Sequence, residues 1–396
     1  MTATDTTLAT TPRPSFAILV AISAIGPLAL NLFIPSMPGL EKTFGVPYGT
    51  VQLTLTLYLI GMAVCQLIYG PASDKFGRRP LLLAGLSLFF IASVLAAIAP
   101  SIELLIVARL IQAIGGSAGI VLARAMVRDV LTREKSASVI SYITMAFVVA
   151  PMVAPVLGGF LEQYSNWRTG FWLLAAVGAS VLSAAWISLP ETHVARGTDP
   201  QNFFRNAGSL FAIPKFRAYT FTLGFTSCVF FAFLGGAPHM MMDVLKRTPM
   251  EYGLWFLTIS VAYMVGNFLS GRYTIKFGLD RMILAGCAVT VCGGFLCLAA
   301  AITGLLSPLT LFLPMSLAAF GNGLTIPNGT AGAISVDARM TGAAAGWSGF
   351  TQMAFGAAAS QLVGSLQTNW PFAVFWFMAA ASMLALLVHG LAMRRS

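Results

Sequence analysis

Residues 70–80 read Gly-Pro-Ala-Ser-Asp-Lys-Phe-Gly-Arg-Arg-Pro, and residues 271–278 read Gly-Arg-Tyr-Thr-Ile-Lys-Phe-Gly. Both stretches begin with glycine and reach Lys-Phe-Gly at the same spacing, and they lie about half of the 396-residue chain apart. Gln66 and Asn267 keep the same offset. Each stretch follows an apolar run long enough to cross a bilayer. The spacing therefore predicts an internal repeat, in which each half of the chain forms one bundle of membrane helices.

The composition agrees with a chain whose main solvent is lipid. Hydrophobic residues make up 57% of the sequence and charged residues only 9%, whereas soluble domains carry roughly 25% charged residues. Thirteen acids and 23 bases cannot cover the surface of a soluble globule of this size. The composition thus excludes a soluble enzyme, a nucleic-acid-binding protein and a disordered chain. The five cysteines lie in apolar runs and predict neither disulfides nor metal ligands.

Apolar stretches of spanning length recur along the chain and predict an all-α integral membrane protein with twelve helices. The longest polar connection separates a first bundle within residues 1–190 from a second within 217–396, with a cytoplasmic linker at 191–216. The predicted spans are 15–37, 50–70, 81–99, 103–124, 136–160, 168–189, 217–239, 251–272, 281–303, 307–328, 341–366 and 371–392.

The distribution of basic residues predicts the orientation. With a cytoplasmic N-terminus, nearly all Lys and Arg residues outside the spans fall on the cytoplasmic side, as the positive-inside rule requires. The few bases expected on the opposite side are Lys42, Arg168, Lys246 and Arg247. Both termini are therefore expected in the cytoplasm. Anionic lipid accounts for the net charge of +10, so no nucleic-acid partner is needed.

The loop at residues 70–80 also predicts a gate. Its glycines allow a tight turn between two helices, and Asp74 is an acid among bases, so we expect it to be paired. Arg124, Arg128 or the helix N-terminus near residues 341–342 are candidate partners. A purely topogenic basic loop is the alternative. The predicted gating residues are Gly70, Asp74, Gly77, Arg78, Arg79, Arg124, Arg128 and Asp129.

Three motifs resemble those of a known family. Residues 70–79 look like the signature between helices 2 and 3 of the major facilitator superfamily, and Arg109-x-x-Gln112-x-x-Gly-Gly resembles its helix-4 signature. The fifth span is similar to the antiporter signature of the drug exporters, with Ala154 in place of the first glycine. The residues of this helix-5 motif are Pro151, Ala154, Pro155, Gly158 and Gly159.

Further stretches at 32–38, 52–55 and 123–129 resemble the Bcr/CflA branch of drug:proton antiporters, which export bicyclomycin and chloramphenicol. The resemblance implies the two-bundle fold, export of small amphipathic drugs or xenobiotics, and proton coupling. It also implies a monomer in the membrane of a bacterial cell, expected to be the inner membrane. No cofactor is expected.

One position departs from this branch. Its members carry an Asp in the first helix that is thought to take part in proton coupling, and Asn31 stands there in this chain. Helix geometry places Asn31 and Arg109 at similar depth, so we expect them to meet. Gln112 lies on the same helix face as Arg109. These three residues are predicted to orient substrate or act in gating, and a structural clamp is the alternative. No acid is expected at the bilayer midplane. Glu103 and Asp129 are the best titratable candidates, and a role at the membrane interface or in the gate is the alternative for each.

Aromatic and polar residues in the middle of the spans are candidates for lining a substrate cavity, because they offer ring faces or hydrogen-bonding groups to an amphipathic molecule. Core packing or lipid contact is the alternative for each of them. The candidates are Tyr58, Tyr142, Phe225, Tyr263, Asn322, Trp347 and Gln352.

Three functions are compatible with these observations. The first is proton-coupled export of drugs, which the resemblance implies. The second is a proton-independent facilitator or importer of a small metabolite, which Asn31 favours. The third is a membrane-embedded enzyme, which the absence of His-Glu-x-x-His and Gly-x-Ser-x-Gly motifs disfavours. No metal site and no ATP-binding loop are predicted, so the expected partners are a small-molecule substrate, protons and the lipid bilayer.

Overall fold

The computed structural model describes residues 14–130, 133–192, 208–337, 340–367 and 369–393, except for the side chains of residues 128 and 133–148. Within these ranges the chain is helical and contains no β-strand. The helices are α1 Phe16–Leu32, α2 Met37–Phe44, α3 Tyr48–Phe76, α4 Arg78–Ala97, α5 Ile102–Val130, α6 Arg133–Tyr164, α7 Trp167–Ser188, α8 Pro214–His239, α9 Pro249–Phe277, α10 Leu279–Ile302, α11 Pro308–Ser335, α12 Thr341–Leu366 and α13 Ala373–Met393.

The predicted all-α membrane fold is confirmed. Ten spans within the described ranges are long and apolar enough to cross a membrane. The remaining two predicted spans correspond to α6, with 32 residues, and α12, with 26 residues. Because α12 is rich in glycine, serine and glutamine, its length rather than its hydropathy identifies it as a membrane helix.

The first span is longer than predicted. We expected it to end at residue 37, but a 3₁₀ turn over Ile34–Ser36 leads directly into α2, so the apolar segment runs from Phe16 to Phe44. Pro35 and Pro38 lie in the first turns of the 3₁₀ segment and of α2. Proline is tolerated there because the amide it lacks would have no partner within the helix.

The repeat in the sequence is a repeat in the backbone. Gly77 ends α3 with φ 90° and ψ 155°, and Gly278 ends α9 with φ 86° and ψ 156°. The lysine two residues before each glycine lies over the neighbouring phenylalanine ring, at 5.2 Å in the first half and 5.3 Å in the second. We call the end of the molecule that carries these two turns the basic end, and the end with residues 45–47 and 245–248 the far end.

The described helices pack as two sets. In the first set α5 lies against α1, α3 and α4, and α7 lies against α4; in the second set α8 packs on α11, α12 and α13, and α10 packs on α11 and α13. Within the described ranges, most of the contact between the sets is made by α3 with α12 and by α6 with α9, and α2 adds a smaller contact with α8. The predicted linker contains residues 193–207, which lie outside the described residues, so the domain limits stay a prediction.

The turn at Gly77 gives a test of this backbone. Gly77→Ala should lower the free energy of unfolding by about 1–3 kcal/mol, because this region of φ and ψ is essentially confined to glycine. The added Cβ would also lie 2.8 Å from an Oε2 atom of Glu191. Thermal unfolding in detergent micelles measures the loss.

Two further variants separate the causes. Gly278 has the same backbone but open space around it, so Gly278→Ala reports backbone strain alone. Gly70 lies within α3 with no atom near an added Cβ, and Gly70→Ala should not destabilise the protein. Equal melting temperatures for the alanine variants at Gly70 and Gly77 would contradict the strain assigned to Gly77.

Candidate functional site

The first site is built around Arg109 of α5, whose side chain is fully buried. Its Nη1 donates hydrogen bonds to the carbonyl oxygen of Ala29 in α1, at 3.1 Å, and to Oε1 of Gln112, at 2.6 Å. Gln112 in turn donates from Nε2 to Oγ of Ser93 in α4, at 2.8 Å. The predicted polar face of this helix therefore connects α1, α5 and α4 inside the first set.

Aromatic rings, rather than an acid, surround the guanidinium of Arg109. Its central carbon lies 4.1 Å from the ring centre of Tyr58, 4.8 Å from that of Phe33 and 5.8 Å from that of Phe171. A desolvated cation over an aromatic face is stabilised by about 2 kcal/mol or more. Among the described residues, Nε and Nη2 of Arg109 have no hydrogen-bond partner. The cluster thus holds a cation whose remaining donors are unused.

Asn31 is attached to the same part of α1. Its Nδ2 donates to the carbonyl oxygen of Pro27, at 2.9 Å, while its Oδ1 is buried and has no hydrogen-bond partner within the described ranges. Arg109 binds the carbonyl of Ala29, one turn away or less. Arg109 therefore binds the same part of α1 that carries Asn31. The side-chain hydrogen bonds of the two residues go to backbone carbonyls and to Gln112.

The predicted cavity residues of the second set lie on four helices, α8, α9, α11 and α12. Asn322 is buried between α11 and α10, where its Oδ1 accepts from Thr290 at 3.2 Å, so it lies inside the second set. Trp347 packs on Phe211 and Phe350 with ring centres 5.9 and 5.5 Å apart. Both residues therefore have hydrogen-bond or ring partners in the structure, and their part in lining a cavity stays a prediction.

The other candidates have local partners as well. The rings of Phe225 and Phe355 are 5.3 Å apart, and Gln352 donates to the carbonyl of Ser348 at 3.3 Å. The carbonyl of Tyr263 accepts from Asn267. Tyr58 belongs to the Arg109 cluster, where its hydroxyl donates to the carbonyl of Gly26 at 2.9 Å. The side chain of Tyr142 lies outside the described residues.

At the basic end, Arg78 forms a cluster with two acids. Its guanidinium pairs with Asp74 at 2.7 Å and with Asp129 of α5 at 3.1 Å, and it also binds the hydroxyl of Ser73. The predicted gate residues Asp74, Arg78 and Asp129 are therefore brought together. Of the partners proposed for Asp74, the Arg128 side chain lies outside the described residues, and Gly342 at the start of α12 has open space around it.

Glu191 completes the basic end, and sequence reasoning missed it. Its carboxylate accepts from the backbone amides of Arg78 and Arg79, both at 3.1 Å, and so caps the N-terminus of α4. Arg79 continues the contact by donating to the carbonyls of Leu189 and Trp186, at 2.7 and 2.9 Å. The only signal in the sequence was an acid directly after the sixth span, because the contact joins residues more than a hundred positions apart.

The helix-5 motif lies where the two helix sets meet. A Cβ on Gly158 would collide with the carbonyl of Leu32 in α1, and one on Gly159 would collide with the carbonyl of Pro249 in α9. Gly253 of α9 approaches the carbonyl of Pro155 in the same way. The fifth and eighth spans therefore meet, and their contact is made between backbones.

The same fold and motifs occur in a known family. Residues 19–360 match the family described as Major Facilitator Superfamily. This chain belongs to the Major Facilitator Superfamily. It is therefore a multi-pass membrane protein of a transporter family, and the prediction of a transporter in place of an enzyme is confirmed.

Curated superfamily members also confirm the resemblance to the drug exporters. The chain is 27% identical to the Bicyclomycin resistance protein homolog of Haemophilus influenzae over 375 residues, which cover 93% of each chain. It is 30% identical to Multidrug resistance protein D of Escherichia coli over 327 residues, 80% of each chain. It is also 30% identical to a Chloramphenicol resistance protein of Pseudomonas aeruginosa over 320 residues, 79% of this chain and 75% of the other.

Solved superfamily structures share the fold at low identity. A D-xylose-proton symporter matches with a TM-score of 0.77 and 15% identity, over 94% of this chain and 96% of the other. A POT family transporter in complex with 5-aminolevulinic acid matches with a TM-score of 0.76 and 12% identity, over 98% of each chain. These likenesses establish the fold and leave the substrate open.

The cap on α4 yields a prediction about the basic end. Glu191→Ala should lower the free energy of unfolding by about 0.5–2 kcal/mol, because the amides of Arg78 and Arg79 lose their acceptor. Glu191→Gln keeps one side-chain oxygen and should lose less. Thermal unfolding of the purified variants measures both. If the alanine variant melts like the wild type, Glu191 does not hold the α4 terminus.

Proposed function

We propose that this protein exports small amphipathic drugs by alternating access, in exchange for protons. The observation that carries the proposal is the position of the antiporter-like motif. Gly158 and Gly159 place the backbone of α6 directly against α1 on one side and α9 on the other. Because α6 contacts both helix sets there, next to the far end, a rocking movement of one set against the other has to change this contact.

The far end is held closed by side-chain contacts between the sets. Gln52 binds the hydroxyl of Ser360, Thr56 donates to Gln361 at 2.8 Å, and Lys42 pairs with Asp243 at 3.6 Å. These are separate hydrogen bonds and an ion pair, which can be exchanged for water when the end opens. They support a gate at the far end, opposite the Arg78 cluster at the basic end.

The class of substrate is inferred from the relatives. Three of them are named for resistance to bicyclomycin, to chloramphenicol or to multiple drugs. We assign the basic end to the cytoplasm, with both termini there, because this orientation satisfies the positive-inside rule. We further propose a monomer in the bacterial inner membrane, with 1–190 and 217–396 as the two moving bundles.

Asn31 favours a second candidate, a facilitator or importer that does not use protons. An amide side chain does not gain or lose a proton at physiological pH. The buried Arg109 nearby contacts Gln112, a carbonyl oxygen and aromatic rings. Because the described side chains of this cluster include no acid and no histidine, proton coupling has to reside in another group or be missing. Drug export and metabolite uptake thus differ in one measurable property, which is the response to the proton gradient.

Drug accumulation in an efflux-deficient bacterial host tests the proposal. Expression should lower the accumulation of chloramphenicol or of a cationic dye, and an uncoupler should abolish the difference because the driving gradient is lost. Export that persists in the presence of uncoupler would reject proton antiport. An unchanged accumulation across a broad drug panel would favour the metabolite transporter.

Arg109→Ala supplies the matched inactive variant. It removes the charge at the centre of the first set and leaves the far-end contacts in place, so we expect transport to fall at least about tenfold with measurable protein in the membrane. Transport near the wild-type rate at equal expression would remove Arg109 from the mechanism.

Asn31→Asp tests whether coupling was lost with the acid. The carboxyl group would sit beside the carbonyl of Pro27, where only its protonated form can donate a hydrogen bond. Transport by the variant should therefore vary more strongly with pH than transport by the wild type. Rates measured in proteoliposomes between about pH 5.5 and 8.5 reveal the change.

Asn267→Asp is the control for that experiment. Asn267 donates to the carbonyl of Tyr263 at 2.9 Å, so it makes the same bond to the residue four positions earlier, but in α9. Its substitution should leave the pH dependence as in the wild type. If the pH dependence of transport changes equally in both variants, or changes in neither, the Asn31 position does not control proton coupling.

A further inference from the structure

We propose that Glu41, His239 and Asp243 form a binding site for a divalent cation of the Zn²⁺ class, and that the bound ion holds the far end closed. Each residue offers one ligand atom, and the three atoms lie within 4.8 Å of one another. One imidazole and two carboxylates are a ligand set that zinc uses, with a water molecule in the fourth position.

The chain arranges two of the ligands locally. His239 ends α8, and Asp243 lies four residues later in the π-helical turn Met240–Val244. Nδ1 of His239 is 3.1 Å from Oδ2 of Asp243, and both atoms are shielded from solvent. Ligands four residues apart on one helix face are neighbours. The second helix set therefore presents a preformed pair of ligand atoms.

The first helix set provides the third ligand and fixes the imidazole. Glu41 belongs to α2, and the ring of Tyr48, at the start of α3, lies 5.1 Å from that of His239. Tyr48 also donates from its hydroxyl to the carbonyl of Gly235, at 2.8 Å. These contacts cross from one set to the other, so the three ligands are assembled only while the far end is closed.

Lys42 compensates part of the acidic charge of this site. Its Nζ is 3.6 Å from Oδ1 of Asp243, and 78% of its side chain is exposed. An ion pair made by an exposed lysine adds little stability, so the lysine can move into solvent when a divalent ion binds. Lys42 should therefore compete with the metal, and its removal should strengthen metal binding.

The functional consequence follows from linkage. A ligand that binds one conformation better than another shifts the population toward the first. Because Glu41 lies in the first set, whereas His239 and Asp243 lie in the second, opening the far end would separate the ligands. The ion should thus trap the transporter and slow turnover. This consequence rests on the proposed alternating access; the binding itself does not.

Calorimetric titration of ZnCl₂ into the untagged full-length protein in nanodiscs tests the binding. We expect one saturable site per chain. The variants Glu41→Gln, His239→Ala and Asp243→Asn should each weaken it at least about tenfold, since each loses one of three protein ligands. Lys42→Ala should tighten it.

His389→Ala is the matched control. His389 pairs with Asp280 at 3.5 Å, so it is also a histidine beside a carboxylate, but it joins α13 to α10 within the second set. Its removal should leave zinc binding unchanged. Unsaturable binding, or equal affinity in the wild type and the His239 variant, would mean an adventitious ion only and overturn the site. A normal affinity in Glu41→Gln would show a site of the second set alone and overturn the bridge.

Transport with and without zinc tests the trap. Zinc added on the far-end side should inhibit the wild type at concentrations near its dissociation constant. The same concentration should inhibit the Glu41 and His239 variants at least about tenfold less, relative to their own zinc-free rates. Zinc binding without inhibition of transport would overturn the proposed trap, while the proposal of drug export would stand. If neither the wild type nor any variant transports a drug, the proposed function fails. The calorimetric titration still decides whether the zinc site exists.

Discussion

Close approach of helix backbones at glycine is the constraint on which this structure depends. In lipid there is no hydrophobic force to press apolar helices together, so small residues that allow backbone contact have to hold them. Gly85 and Gly115 bring α4 against α5, and Gly286 and Gly321 bring α10 against α11. Gly85 and Gly286 keep the offset of the Lys-Phe-Gly repeat. The two helix sets are thus built around the same backbone contact.

The same kind of contact joins the two sets. Gly159 and Gly253 bring α6 and α9 together, and Gly49 lets α3 approach the backbone of α12, where Gln52 also binds Ser360. The separate hydrogen bonds at this end can open one after another. The two sets are therefore joined at the far end by close backbone packing together with breakable side-chain contacts.

Charged residues are compensated differently inside the first set, at the basic end and at the far end. Arg109, buried inside the first set, is enclosed by aromatic rings and carbonyl groups, which hold a cation without neutralising it. At the basic end, Arg78 is neutralised by Asp74 and Asp129. At the far end, Asp243 lies between a lysine of one set and a histidine of its own. This last group of charges changes partners if the sets separate.

The sequence by itself determined the helical membrane fold, the repeat and the family, because span length, apolar composition and the Lys-Phe-Gly turns are local properties of the chain. It also located Arg109 and the helix-5 glycines, whose helix positions follow from short motifs. Only the tertiary structure decided that Glu191 caps α4, that Asn322 packs inside the second set, and that Glu41 meets His239. Those contacts join residues far apart in the chain, and their partners are set by how whole helices pack, which no local pattern encodes.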